Sequence, residues 1–187
     1  MFIQTEPTPN PQTLKFIPGV DVMKEGVADF RKPEDAKVSP LAERLFAVHG
    51  VTGIYLGQDF VSVSKREDVE WHHIKPSILG TIMEHFTAGL PVMSEGAVIG
   101  DSGGHAAANG ADGEIVKQIV ELLDTRVRPA VAQDGGDIVF HGFDEGIVYL
   151  AMQGACAGCP SSVMTLKHGI ENLLRHYVPE VNEVRAV

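Results

Sequence analysis

The chain has 187 residues, 44% hydrophobic and 21% charged, the balance of a globular protein with room for one large or two small domains. A formal charge of −10 with no basic stripe argues against a nucleic-acid partner. No apolar run approaches the ~18 residues of a membrane span, and Met1-Phe2-Ile3-Gln4-Thr5-Glu6 lacks the n- and h-regions of a secretory signal.

Residues 1–19 read as strand, turn, strand. Phe2-Ile3-Gln4-Thr5 is short and apolar, Pro7, Pro9, Asn10 and Pro11 interrupt it, and Leu14-Lys15-Phe16 alternates before Pro18-Gly19. Ser39-Pro40 gives an N-cap followed by proline at the first helical position, with Leu41, Leu45 and Val48 on one face and Gly50 as the stop. The strict capping box is absent, because position 42 is Ala. Val51 to Leu56 and Phe60 to Ser64 are rich in β-branched and aromatic residues, and Gly57-Gln58-Asp59 between them predicts a hairpin. A second helix is predicted through Pro76 to about Ala88, with Ile78, Ile82, Met83 and Phe86 inward. His72 and His73 are adjacent, so on a helix they are expected to point in different directions and not easily to chelate one ion. His49, His85 and His105 carry no partner pattern.

From residue 91 the composition turns to Gly, Ser, Ala and Asp, which predicts a flexible linker over 91–111. Asp112 then suits an N-cap, and Ile115, Ile119, Leu122 and Leu123 give a helical stripe ending near Arg128-Pro129. Gln133-Asp134-Gly135-Gly136-Asp137 is a turn. Asp137 to Phe143 and Ile147 to Met152 read as paired strands across Asp144-Glu145-Gly146. Val163, Leu166, Ile170, Leu173, Leu174 and Tyr177 keep helical period until Pro179, and Val181 to Val187 can form a last strand. The expected fold class is α+β: two small sheet-and-helix domains, 1–90 and 112–187, joined by the linker.

Both cysteines, Cys156 and Cys159, lie in Gly154-Ala155-Cys156-Ala157-Gly158-Cys159-Pro160-Ser161-Ser162, between a predicted strand and a predicted helix. Two soft thiolates on one turn chelate soft or borderline metals, iron–sulfur clusters included. Pro160 suits a first helical turn, which sets the sulfurs where the helix dipole favours negative charge. Gly154 and Gly158 leave room for a bulky inorganic group to approach the backbone. A glycine-framed helix start makes a poor core site, so both thiols are expected outside the core. A thiol–disulfide oxidoreductase shares the CxxC, but too few residues follow Cys159 for the strand and helix that fold adds. A zinc-bridged structural dimer is the third reading; zinc wants four ligands and one CxxC supplies two. Two thiols per chain imply a site completed by another molecule, most simply a second copy. No carboxylate pair, Ser-His-Asp order or phosphate loop suggests an enzyme.

Asp134-Gly135-Gly136-Asp137, the block Cys156-Ala157-Gly158-Cys159-Pro160-Ser161-Ser162, Thr165-Leu166-Lys167, Gly169-Ile170-Glu171 and Pro179-Glu180-Val181 resemble the C-terminal domain of NifU-like (Nfu) iron–sulfur proteins. Gln4-Thr5-Glu6-Pro7-Thr8-Pro9-Asn10-Pro11, Leu14-Lys15-Phe16 and Ser39-Pro40-Leu41-Ala42 resemble the N-terminal domain of the same family. The resemblance implies a non-enzymatic scaffold or carrier that binds a [4Fe-4S] cluster, with [2Fe-2S] as the alternative, between two protomers through Cys156 and Cys159. It also implies apo iron–sulfur proteins as recipients and an upstream assembly machinery as donor, with neither membrane nor nucleic acid as partner. The expected location is a bacterial cytoplasm, or a mitochondrion for a mature form, since no arginine precedes Arg31.

Overall fold

The computed structural model describes residues 1–97, 112–157 and 160–187, without the side chains of 160–162. The predicted linker from 98 onward, together with Gly158 and Cys159, lies outside the described residues.

The first unit is a five-stranded antiparallel sheet of order β1-β2-β5-β4-β3, built from β1 (Gln4–Pro7), β2 (Thr13–Ile17), β3 (Ala28–Phe30), β4 (Val51–Leu56) and β5 (Val61–Lys65). Period-two alternation sends Phe16, Ile54, Leu56, Val61 and Val63 to one face. There α1 (Pro40–Phe46) and α2 (Trp71–Thr87) cover them with Leu41, Leu45, Ile74, Ile78 and Ile82. The Ser39 hydroxyl caps α1 by accepting from the Ala42 N–H at 3.1 Å, and it donates to the Val92 carbonyl at 2.6 Å. Val92 and Met93 pack against this core, and the Ser94 N–H bonds the Val38 carbonyl.

One expectation for α2 is corrected. Met83 is 43% exposed, while His85 is fully buried. An α-helix places residues 78, 82 and 85 on one side, and position 83 falls a hundred degrees from 82. Strand β3 has no counterpart in the sequence reading; three residues at a sheet edge carry too little alternation to show.

The second unit has a three-stranded sheet of order β6-β7-β8: β6 (Gly136–Asp144), β7 (Ile147–Gly154) antiparallel to it, and β8 (Glu183–Ala186) parallel to β7. Its hairpin turns on Glu145 and Gly146, with φ of 47° and 79°, the two left-handed residues of a turn that matches strand twist. Helix α3 (Gly113–Leu122) leads through a π-helical turn (Leu123–Val127) into α4 (Arg128–Gln133), and α5 (Pro160–Tyr177) follows the cysteine loop. The helix therefore continues past Pro129. A proline lacks the N–H and crowds the carbonyl four residues back; here the preceding turn is wound wider, the Arg128 N–H reaching the Leu123 carbonyl, and the helix resumes. Asp112 precedes α3 with no side-chain cap bond. Val116, Ile119, Leu123, Val127 and Val131 pack on Ile138, Phe140, Val148, Leu150 and Met152, with Ile170, Leu174 and Val184 completing the core.

Candidate functional site

Cys156 lies in the turn after β7 and is only 6% exposed, inside the second core cluster rather than outside it. This corrects the expectation of a peripheral thiol. The physical reason is Gly136: a Cβ there would stand 2.3 Å from the Cys156 Sγ, so the bare backbone opens the space the sulfur fills. The turn is closed by the Cys156 N–H bonding the Gln153 carbonyl and the Ala157 N–H bonding the Gly154 carbonyl. A cavity of about 400 Å³ adjoins the sulfur, lined by Pro9, Val131, Asp134, Ala155, Cys156, Thr165 and Leu166. The wall thus includes a residue of the first domain.

Burial pushes the Cys156 thiol up to about 12, and the negative charges of Asp134 and Asp137 add to the shift. In this state Cys156 is a protonated, apolar-packed thiol. Glycine room, soft donor chemistry and an adjoining cavity suit a thiolate-ligated inorganic group. Ligation there would require the thiol proton to leave.

Asp137, 4% exposed, is held by Arg128, whose Nε and Nη2 donate to its two oxygens at 2.8 and 2.7 Å. Its Oδ1 also accepts the Ile138 N–H at 2.8 Å. Bidentate pairing to a guanidinium is the usual way to keep a carboxylate ionised when buried, and the same carboxylate raises Arg128 above its ordinary value.

Gly154 also answers a close approach of protein to protein. Its φ is +61°, and a Cβ would meet the Gly135 carbonyl at 2.6 Å and the Tyr55 ring at 3.1 Å. It therefore allows the turn at Gly135 and the Tyr55 ring of the first domain to come close. His72 and His73 are both exposed, with ring centroids 4.0 Å apart. Among the described residues no three His, Cys, Asp or Glu side chains gather as a metal site.

Sequence reasoning missed a polar row across the first sheet. Register places Glu6 opposite Lys15, Lys15 opposite Ser62, Ser62 opposite Tyr55, and Tyr55 opposite Asp29. These side chains lie on the face away from the first core, and four of them meet the second domain. Lys15 Nζ donates to the Gln133 carbonyl at 3.2 Å and the Ser62 hydroxyl to the Gly135 carbonyl at 2.6 Å. Tyr55 interacts with the Asp137 carboxylate, and the Gly154 N–H donates to Asp29. At the ends of the row, Arg31 Nη2 donates to the Met152 carbonyl at 2.6 Å and Asn10 Nδ2 to the Ala157 carbonyl at 3.1 Å. The alternation of Leu14-Lys15-Phe16 and of β4 and β5 carried this signal, but a single sequence does not say which polar faces are covered.

Residues 3–89 match the family model described as the N-terminal domain of scaffold protein Nfu/NifU, and residues 119–185 match the NifU-like domain. A Drosophila sechellia protein named as a mitochondrial NFU1 iron-sulfur cluster scaffold homolog is 50% identical across the whole chain, which spans 65% of that relative's length. The human protein of the same name is 48% identical across the whole chain, which spans 72% of it. A solved NifU-like protein from Saccharomyces cerevisiae aligns over 51% of this chain and 86% of its own at 26% identity, with a TM-score of 0.46.

Proposed function

The chain belongs to the Nfu/NifU family of iron–sulfur cluster scaffold proteins, and from that premise we infer that it carries a cluster between two copies of itself and hands it on. The observation that carries the reading is a glycine-framed CxxC, Cys156 and Cys159, at the strand-to-helix junction of the NifU-like domain. Each chain supplies two thiolates and a [4Fe-4S] cube takes about four, so a pair completes the set, with [2Fe-2S] the smaller alternative. The cluster is cargo: it arrives from an assembly machinery, stays while two cysteine loops face each other, and leaves to apo iron–sulfur proteins. Chain residues act by ligation and by release, with no turnover of a small molecule, so the protein is not an enzyme. The boundaries we propose are 1–90 and 112–187, with 91–111 as the connection, whose first residues, Val92 to Ser94, pack back on the first domain. No helix among the described residues is long and apolar enough to cross a membrane; the compartment we propose is a bacterial cytoplasm or, for a mature form, a mitochondrion.

Anaerobic reconstitution with iron and sulfide tests the reading. Wild-type protein is expected to turn brown, to give the Mössbauer signature of a cube at about two irons per chain, and to pass the cluster to an apo-acceptor such as aconitase. Cys156→Ser and Cys159→Ser are expected to lose the cluster. Colourless tetrahedral zinc in its place, or full iron and sulfide in either variant, sinks the assignment. Because Cys156 is a core residue, its serine variant carries a second expectation: burying the hydroxyl lowers stability by about 1–3 kcal/mol.

A further inference from the structure

We propose that the polar row of the first sheet is a docking surface for the cysteine loop of the same chain, and that the docked state withholds Cys156 from a second copy until the seam opens. The inference rests on the cluster-sharing reading and adds to it a role for the N-terminal domain.

Four observations converge on it. The contacts cluster on the two segments that frame Cys156: the 133–137 turn receives Lys15, Ser62 and Tyr55, and the 152–157 segment receives Arg31, Asn10 and, through the Gly154 N–H, Asp29. Four of the bonds run from a first-domain side chain to a main-chain carbonyl, so the surface reads the path of the loop rather than its side chains. Lys15, Tyr55 and Ser62 lie on the side of the sheet opposite its core yet are buried. A sheet face that only met water would leave them exposed. Lastly, Asn10 holds the carbonyl of Ala157, which lies inside the CxxC, and Pro9 lines the cavity beside Cys156. A cluster shared by two chains must touch Cys156 of both, and the 9–10 segment stands on that approach.

The sulfur and the surface are coupled through Gly135 and Gly136. The Gly135 carbonyl accepts from the Ser62 hydroxyl and from the Ala155 N–H, and Gly136 backs the Cys156 sulfur. Holding this turn from the first domain therefore holds the thiol inward. Release of the seam frees both segments at once, which lets the loop present Cys156.

Two variants of the full chain test this. Asn10→Asp keeps the oxygen that accepts the Gln12 N–H at 3.0 Å but sets a carboxylate oxygen against the Ala157 carbonyl. Ser62→Asp sets one against the Gly135 carbonyl, on a face that the first core does not use. Each apo-protein is treated with iodoacetamide, and alkylation of Cys156 is followed by peptide mass spectrometry. The cluster-uptake rate is measured alongside. The expected result is alkylation about tenfold faster than wild type, faster uptake, and an unchanged final cluster content. Wild-type alkylation rates in both variants overturn the proposal, as does faster alkylation with no gain in uptake. If wild type and variants alike take up no cluster, the cargo reading has failed, and the alkylation rates still decide whether the row holds the loop.

Discussion

At Gly136 a single hydrogen stands where a Cβ would lie 2.3 Å from the Cys156 Sγ, 2.9 Å from the Cys156 N and 3.0 Å from the Gln153 O. Two of those three neighbours are backbone and cannot swing aside. Gly136→Ala is therefore expected to displace the cysteine turn and to lower stability by about 1–3 kcal/mol, the range for overpacking. Gly142 is the matched control in the same strand, where an added Cβ would meet nothing within 4 Å; its alanine variant should stay within about 0.5 kcal/mol of wild type. Thermal melts of the two variants check the contrast, and equal midpoints would refute it. The pair Gly135-Gly136 reads as a turn from sequence alone, which is right as far as it goes. Its closeness to Cys156, twenty residues on, arises only when β6 pairs with β7 in the register that sets Gly136 opposite Gly154.

Among the elements, α2 contains a buried group that responds to pH. His85 is fully buried, its Nε2–H donates to the Pro91 carbonyl at 3.0 Å, and its Nδ1 has no partner among the described residues. Burial is the main cause that lowers its pKa below 6.5; the Arg44 charge lowers it further, and the Pro91 carbonyl opposes both. Arg44 is itself paired with Glu84 at 3.0 Å. The unfolded chain thus binds this proton more readily than the folded one. The contribution to stability is complete above pH 6.5, declines as pH falls below it, and levels off once the folded ring is protonated. His85→Gln keeps a donor for Pro91 and removes the titration, so the wild-type-minus-variant difference in melting temperature should shrink from pH 7.5 to 5.5. A pH-independent difference would show that the ring does not titrate in that window. The helix itself was legible from the spacing of Ile78 and Ile82, and α1 from Ser39-Pro40 and its leucines. What the pattern did not give was the choice between Met83 and His85, since hydrophobicity favours the methionine and only the position on the helix favours the histidine. The passage through Pro129 was hidden for a similar reason: the local rule says stop, and a wider turn at Leu123–Val127 overrides it.

On the scale of the whole molecule, two properties set how copies meet: each carries a formal charge of −10, and Asp134 and Asp137 stand close enough to Cys156 to act on its thiol. Arg128 answers Asp137 with two hydrogen bonds, whereas Asp134 is exposed at the mouth of the same turn. Bringing two cysteine loops together therefore sets like charges face to face, and a thiolate-bound cluster adds further negative charge. Such repulsion between exposed groups is screened by salt, the Debye length shrinking from about 10 Å at 0.1 M to about 3 Å at 1 M. Cluster loading by the pair should then be second order in protein at low concentration and should quicken as salt rises. Asp134→Asn should load faster than wild type at low salt and no faster at high salt, because the substitution and the salt remove the same repulsion. Stopped-flow absorbance of reconstitution across a salt series, with native mass spectrometry to count chains per cluster, measures both. The bonds that close the seam to neutral carbonyls respond weakly to ionic strength, so a loading rate that salt leaves unchanged would mean that opening the chain, rather than joining two, limits the step.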